Sequence, residues 1–278
     1  MFNVDLHCHS TVSDGALTPA AVAARAKANG VDVWALTDHD ETGGIAQARE
    51  AACALGLRYV TGVEISVTWA GKTVHIVGLQ IDETNENLVR GLASTRSGRE
   101  RRAHEMAAQL AAAGIPDAFE GASKFVGNPN LISRTHFARY LVERGICQDT
   151  ASVFRNYLVE GKPGYVPHRW ATLKDAVGWI RGAGGMAVVA HPGRYDFSDL
   201  ELDAFLNEFK QLGGVGIEVV TGSHTVEEFA RFAHVAKTYG FLASRGSDFH
   251  APGESAVELG ALPPLPATVV PVWHNWRI

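Results

Sequence analysis

The stretch VDLHCHSTVSDG, residues 4–15, decides how this sequence is interpreted. Apolar and polar residues alternate through its first half, which is the period-2 pattern of a β-strand with two unlike faces. His7 and His9 fall on the same polar face, and Asp14 follows shortly after them. Side chains of the kind that bind metal ions therefore stand at the end of the first predicted strand.

Length and composition narrow the class of protein. The chain has 278 residues, a net charge of −5 and 3 cysteines. A domain of this size buries enough surface to fold without disulfides, and an odd number of cysteines favours a reducing cytoplasm. No apolar run approaches the roughly 18 residues needed to cross a bilayer, and no secretory leader pattern opens the chain. We expect a cytoplasmic protein with no membrane contact and no obligate protein partner.

Strand and helix patterns alternate along most of the chain. Thr18 is predicted to cap the first helix, with Pro19 in its first position. Further strands are predicted at residues 31–40, 58–66, 72–81, 186–193, 215–222 and 241–250. This alternation is typical of α/β proteins with a largely parallel sheet and right-handed crossovers.

The alternation of strand and helix patterns stops between residues 85 and 167, where helical patterns follow one another without a strand. A long helix is predicted over residues 89–114, and shorter ones follow. We therefore predict two parts. Residues 1–84 and 168–278 form the strand-and-helix domain, and residues 85–167 form a small helical insertion that covers its active site.

Almost every predicted strand ends in a residue type that binds metals. These residues are His7, His9, Asp38, His39, Glu64, His191, Glu218, Asp248 and His250, and His75 lies within the fourth strand. A single histidine in a strand is usually a core residue, but repetition at the ends of several strands predicts a metal centre. The ends of parallel barrel strands meet on one face. Imidazole and carboxylate ligands without thiolate suit Mn, Fe or Zn better than Ca or Mg.

Six motifs of the chain resemble those of the polymerase and histidinol phosphatase (PHP) family. In order they are HCHS, TDHD, GVEIS, VHIVG, AHPG and GSDFH, within residues 1–81 and 165–260. The resemblance implies a distorted (β/α)7 TIM-like barrel that holds two or three divalent ions. Mn²⁺ is the expected ion, with Fe²⁺, Zn²⁺ or Mg²⁺ as alternatives.

The resemblance also implies how the ligands are shared among the ions. The first ion would be bound by His7, His9, Glu64 and Asp248. The second would be bound by Glu64, His75 and His191, and the third by Asp14, His39 and His250. Asp38 is expected to orient a ligand imidazole, and Glu218 has no place in the family's ligand set.

Three such ions would bring about +6 of charge against about −3 from Asp14, Glu64 and Asp248, which makes the site attractive to a phosphate dianion. Hydroxide bridging two ions would attack phosphorus, with Asp14, His39 and Glu64 as catalytic ligands. Hydrolysis of an amide or lactone ring would use similar ions but needs no third one, so the third ligand set favours phosphate. His224 is either the acid that protonates the leaving group or a surface residue.

Substrate-binding residues are expected mainly in the insertion. The candidates are Arg99, Arg102, Ser133, Arg134, His136 and Arg194. Arginine meets phosphate through a bidentate fork, which favours it as a second phosphate ligand. Two alternatives stay open: the arginines near residue 99 would also suit a solvated helix face, and Ser133 would also suit a helix N-cap.

SRTHFARYL and GKPGYVPH resemble short bacterial family members, among them 3′,5′-nucleoside bisphosphate phosphatases and 5′→3′ oligoribonucleases. The resemblance implies removal of the 3′-phosphate from adenosine 3′,5′-bisphosphate. An exonuclease acting on short RNA is the main alternative and would need stacking aromatics. The available ones are Phe125, Phe137, Tyr140, Phe154 and Tyr157, whose helical spacing favours core packing. A histidinol-phosphate phosphatase and a non-catalytic module are further alternatives, but degenerate modules typically lose ligands that are all present here.

Overall fold

The computed structural model of the chain describes residues 2–276. Its strands are β1 (Val4–Asp5), β2 (Val33–Leu36), β3 (Arg58–Trp69), β4 (Lys72–Leu79), β5 (Met186–Val189), β6 (Gly216–Thr221) and β7 (Leu242–Gly246). They form one sheet in the order in which they occur along the chain. The first strand is much shorter than its alternating sequence suggests, because the chain leaves the ladder at Leu6 to form the ligand loop.

The sheet curls into a nearly closed barrel. Its first and last strands approach each other beyond their regular ends, where the backbone N–H of Leu6 donates to the carbonyl of Arg245 at 3.0 Å. The N–H of Asp248 donates to the carbonyl of His7 at 2.8 Å. The loops that follow β1 and β7 are thereby fixed side by side at one end of the barrel, which we call the mouth.

β4 runs antiparallel to both of its neighbours, so the expectation of a largely parallel sheet needs a correction. The remaining neighbouring strands are parallel. Because β4 starts at the mouth, His75 near its beginning pairs with Ser66 near the end of β3. The reversal is the reason why a histidine at the start of a strand joins ligands that stand at the ends of the other strands.

The helices are α1 (Pro19–Ala28), α2 (Ile45–Ala54), α3 (Glu86–Arg96), α4 (Arg99–Ala112), α5 (Ala118–Ser123), α6 (Arg134–Glu143), α7 (Thr150–Val153), α8 (Leu173–Gly182), α9 (Asp199–Leu212) and α10 (Val226–Tyr239). As predicted, α1 is capped by the Thr18 hydroxyl and has Pro19 in its first turn. Helix α9 is not among the helices predicted from the sequence. No helix among the described residues is long and apolar enough to cross a membrane.

The described residues form several apolar clusters, two of which bear on the site. The largest joins the barrel strands to their outer helices and includes Phe205 and Phe209 of α9. A second cluster is drawn from residues 103–166 and includes Phe137 and Leu141 of α6. Helix α3 belongs with the first core, because its Leu88 and Leu92 are part of that cluster.

The long helix predicted over residues 89–114 is broken between α3 and α4. Gly98 caps α4 with a φ of 88°, a left-handed conformation that glycine adopts without the steric cost of a side chain. The break lets α4 turn away from the barrel wall and start at the mouth.

Candidate metal centre and substrate cavity

Three groups of side chains at the mouth bring ligand atoms within 4.8 Å of one another. The first group is His7, His9, Glu64 and Asp248; the second is His39, Glu64 and His75; the third is His9, Asp14, His39 and His250. The first matches the set expected from the sequence, and the third contains the expected residues together with His9. In the second, His39 is grouped where His191 was expected.

Glu64, in β3, stands at the centre of these groups. Its Oε1 lies 2.9 Å from Nδ1 of His75 and 3.0 Å from Nε2 of His191. Its Oε2 lies 3.2 Å from the Nε2 atoms of both His7 and His9. The geometry therefore allows the carboxylate to bridge two cations, and His191 is close enough to share the one that faces Oε1.

Several buried polar atoms of this cluster have no hydrogen-bond partner among the described residues. They are Oδ1 of Asp14, Nδ1 of His191, and the pair formed by Oε2 of Glu64 and Nδ1 of His39, which lie 2.9 Å apart without the angles of a hydrogen bond. Buried polar atoms in folded proteins almost always have a partner. Carboxylate oxygens and neutral imidazole nitrogens crowded in this way suit divalent cations such as Mn²⁺, Fe²⁺ or Zn²⁺, so the residues present fit a metal centre.

The electrostatics of the cluster agree with that fit. Burial raises the pKa of Glu64, but the neighbouring charges of His7, His39 and His75 outweigh it and hold that pKa well below its usual range. Burial lowers the pKa of His7, yet the Glu218, Glu64 and Asp248 carboxylates hold it well above its ordinary value. The pKa values of His9 and His39 are raised as well, so without a cation the acids hold protons on these three histidines, whereas burial lowers the pKa values of His75 and His191. A bound cation would replace those protons.

Two acidic residues outside the groups hold the ligands in place. Glu218 in β6 accepts from Nδ1 of His7 at 2.8 Å and from the backbone N–H of His191 at 2.7 Å, which leaves Nε2 of His7 facing Glu64 and available to a cation. Asp38, expected to orient an imidazole, reaches one only through Ser13, whose hydroxyl lies 3.5 Å from Nδ1 of His9. It accepts from the backbone N–H of Ser10 and from the hydroxyls of Ser10 and Ser13, and so holds the loop that follows β1.

The start of α6 contacts the third group. Oδ2 of Asp14 accepts hydrogen bonds from the hydroxyls of Ser133 at 3.1 Å and Thr135 at 2.9 Å. These bonds turn the other oxygen, Oδ1, towards His39 and His250. Ser133 also caps α6, which is the alternative considered for it. Thr135 is not among the residues predicted from the sequence.

A cavity of about 450 Å³ opens beside the metal ligands. Two sets of residues line it: the acids and histidines Asp14, His39, His75, His191, Asp248 and His250, and the cationic and aromatic residues Arg99, Arg102, Arg134, Phe154 and Trp170. We call the parts of the cavity formed by these two sets the metal end and the arginine end. Arg194, expected near the substrate, also lines the cavity and donates to Asp248 at 2.9 Å.

The arginine end carries positive charge with few acidic partners. Arg99 and Arg102 are only 6% and 8% exposed, which argues against a solvated helix face; the exposed position is Arg101, which pairs with Glu105. Within the described residues no carboxylate lies within ion-pair distance of Arg102 or Arg134. Burial and the charges of Arg134 and Arg99 lower the pKa of Arg102 to about 9. A phosphate group would relieve this repulsion.

Two histidines take positions different from those expected. His136 does not line the cavity; it is fully buried, and its Nδ1 accepts from the N–H of Ser133 in a capping box. His224 is neither a surface residue nor placed to protonate a leaving group. Its Nε2 accepts from the N–H of Gly193 at 2.9 Å, and its Nδ1 donates to the carbonyl of Val219 at 3.1 Å.

The aromatics considered for stacking lie mostly in the second core. Phe137 and Tyr140 are buried there, and Phe125 and Tyr157 pack against it. Of the five, Phe154 alone is among the residues that line the cavity. Trp170 lines it as well, although the sequence did not predict a role for it.

Comparisons with known proteins agree with this architecture. The family model of the PHP domain matches residues 5–160. A 3′,5′-nucleoside bisphosphate phosphatase of Chromobacterium violaceum is 53% identical over 275 residues, covering 99% of this chain and 96% of the relative. A 5′-3′ exoribonuclease of Escherichia coli is 43% identical over 275 residues, with 98% and 93% covered. The solved structure of an amidohydrolase from Chromobacterium violaceum, with bound sulfate and no metal, matches with a TM-score of 0.95 at 53% identity, covering 98% of this chain and 94% of that one.

Proposed function

The chain belongs to the PHP domain family, and from this premise we propose that it is a metal-dependent phosphomonoesterase acting on nucleoside 3′,5′-bisphosphates. It would remove the 3′-phosphate, converting adenosine 3′,5′-bisphosphate to AMP and phosphate. The relative from Chromobacterium violaceum, which carries this activity in its name, supports the substrate class.

One observation carries the proposal: a single cavity has two different ends that each suit an anion. At the metal end, the unpartnered oxygens of Asp14 and Glu64 point to bound cations. At the arginine end, Arg102 and Arg134 lack acidic partners among the described residues. A nucleotide with two phosphate groups complements both ends, whereas a singly phosphorylated compound such as histidinol phosphate complements one.

The chemistry follows from the residues that surround the reacting phosphate. Bound divalent ions supply Lewis acidity and a water acidic enough to attack phosphorus near neutral pH. His7, His9, Glu64 and Asp248 would hold one ion, with the remaining metal-end ligands holding one or two more. Arg194 lies beside Asp248 and would contact the phosphate that is removed. We propose Mn²⁺ as the ion, because the ligands mix imidazole with carboxylate and include no thiolate.

At the arginine end, Arg99, Arg102 and Arg134 would bind the phosphate that is retained. Arg99 and Arg102 are buried and Arg134 is half-buried, so solvent screens their charges poorly. The Ser133 hydroxyl donates to Asp14 instead, so we propose that Ser133 positions a metal ligand. We assign no role in binding or proton transfer to His136, which does not line the cavity, or to His224, whose two ring nitrogens both bond to the backbone.

A 5′→3′ exoribonuclease acting on short RNA is the second candidate. The Escherichia coli relative carries that activity in its name, and Phe154 and Trp170 offer aromatic faces in the cavity. The same metal ligands could cleave a diester.

We also infer a cytoplasmic location, because Cys8, Cys53 and Cys147 are all free thiols.

Turnover of two substrates separates the candidates. The purified protein, supplied with Mn²⁺, is assayed for phosphate release from adenosine 3′,5′-bisphosphate and for mononucleotide release from a short 5′-phosphorylated RNA. We expect a higher kcat/KM for the bisphosphate. A higher kcat/KM for the RNA favours the exonuclease, and no turnover of either substrate with metal bound contradicts both. The Glu64→Gln variant serves as the inactive control.

A further inference from the structure

Asp40 is a buried carboxylate that does not belong to the metal groups. It is 0% exposed, and its φ of 50° places it in the left-handed region, which aspartate tolerates better than most residues. Its two oxygens accept from the backbone N–H and the hydroxyl of Ser66, each at 2.8 Å. The same carboxylate forms an ion pair with Arg99 of α4.

Arg99 is fixed on two sides and free on a third. Its Nη2 donates to Asp40, and its guanidinium lies over the ring of Trp170 at 4.5 Å from the centroid. Its Nε is buried and has no hydrogen-bond partner among the described residues, and the side chain lines the cavity. An anion in the cavity would provide that missing partner.

Asp40 is equally well fixed to the metal end. It directly follows His39, and its backbone N–H donates to the carbonyl of Glu64 at 2.8 Å. The backbone carbonyl of Asp40 also accepts from Arg96 at the end of α3. A short, buried set of bonds therefore connects a proposed metal ligand to an arginine at the other end of the cavity.

We propose that Asp40 is a positioning residue that fixes Arg99 at a set distance from the metal centre. It thereby makes the site selective for nucleotides with two phosphate groups over those with one. This inference rests on the proposed function, because it takes Arg99 to bind the phosphate that is retained. Because Asp40 already holds Arg99 in place before the ligand binds, little conformational entropy is lost in ordering this side chain on binding. Preorganised charges favour one ligand in this way.

The substitution Asp40→Asn tests the role of the charge. Asparagine keeps an oxygen for the Ser66 N–H but cannot pair with Arg99. The selectivity ratio is kcat/KM for adenosine 3′,5′-bisphosphate divided by kcat/KM for adenosine 3′-monophosphate. We expect it to fall about tenfold to a hundredfold, the loss of a charged hydrogen bond at the retained phosphate, mainly through KM. Glu41→Gln is the matched control. Glu41 follows Asp40 in the same loop and also pairs with an arginine, Arg96 of α3.

A double-mutant cycle separates positioning from general structural damage. If Asp40 acts through Arg99, Asp40→Asn lowers the ratio no further in an Arg99→Gln background. Equal losses of kcat/KM on both substrates, additive effects in the cycle, or an unchanged ratio would each overturn the inference. Binding of AMP at equilibrium gives a readout that needs no turnover. Weaker AMP binding with an unchanged manganese content supports the role of Asp40 even if the proposed reaction fails, and unchanged AMP binding contradicts it.

Discussion

The substitution Thr135→Val should weaken one metal site and spare the others. Thr135 donates from α6 to Oδ2 of Asp14 at 2.9 Å and so turns Oδ1 towards His39 and His250. Valine keeps the shape of threonine and removes this one donor. A hydrogen bond to a charged group is worth about 1.5–3 kcal/mol, which corresponds to roughly 10- to 150-fold in affinity. Because Thr135 is only half-buried and Ser133 keeps a second bond, we expect about tenfold weaker binding.

The measurement is a manganese titration of chelator-treated protein, followed by metal counting at each free concentration. One class of site should move to higher manganese concentrations, while the sites that include Glu64 stay in place. Thr150→Val is the matched control, because Thr150 also lines the cavity but does not contact Asp14. Equal weakening of every site, or a titration identical to that of the unmodified protein, would refute the reasoning.

Three further outcomes follow from the site. Manganese at roughly one hundred times its Kd should raise Tm by about 5–10 °C over chelator-treated protein, and no rise would contradict a metal centre. The pKa of His7 is raised above 6.5, so its contribution to metal-free stability is fully present below that pH and is lost as pH rises through the raised value. The Tm difference between manganese and chelator should therefore widen from pH 6 to 9, and a constant difference would contradict this. His224→Gln should lower stability by about 1–2 kcal/mol through the lost bonds to Gly193 and Val219. The pH profile of kcat for the His224→Gln variant should keep the shape of the unmodified protein's profile. Loss of one limb of that profile would indicate that His224 is the proton donor.

Most of the residues that lie together at the metal end stand at or near the ends of predicted strands, which made them candidates from the sequence. Asp14, in a loop, and His75, near the start of β4, are exceptions, and His7 and His9 lie just beyond the short strand β1 rather than within it. The reversal of β4 was missed although its signal was present. Only Ala70 and Gly71 join β3 to β4, and a parallel connection needs a crossover of a dozen or more residues.

Helix α9 was also within reach of the sequence. Ser198 and Glu201 form a capping box, and Leu202, Phe205 and Phe209 recur at helical spacing. Contacts between segments that are distant in the sequence could not be predicted in this way. The bond from Thr135 to Asp14 joins residues 121 positions apart, and neither residue carries a local signal for the other. The same holds for Asp38, whose serine partners lie in another loop.

The antiparallel direction of β4 also affects where Arg99 and Arg102, at the start of α4, lie relative to the barrel. Since β4 leaves the barrel at the end opposite the mouth, α3 must carry the chain back up along α8, starting where Asn85 donates to the carbonyl of Gly182. Its 11 residues rise about 16 Å, comparable to five residues of strand. Helix α3 is thus a spacer of fixed length. Removing one residue from it would lower the start of α4 by about 1.5 Å and turn it by about 100°, so in the proposed site the distance from the metal ligands to Arg99 depends on the length of α3.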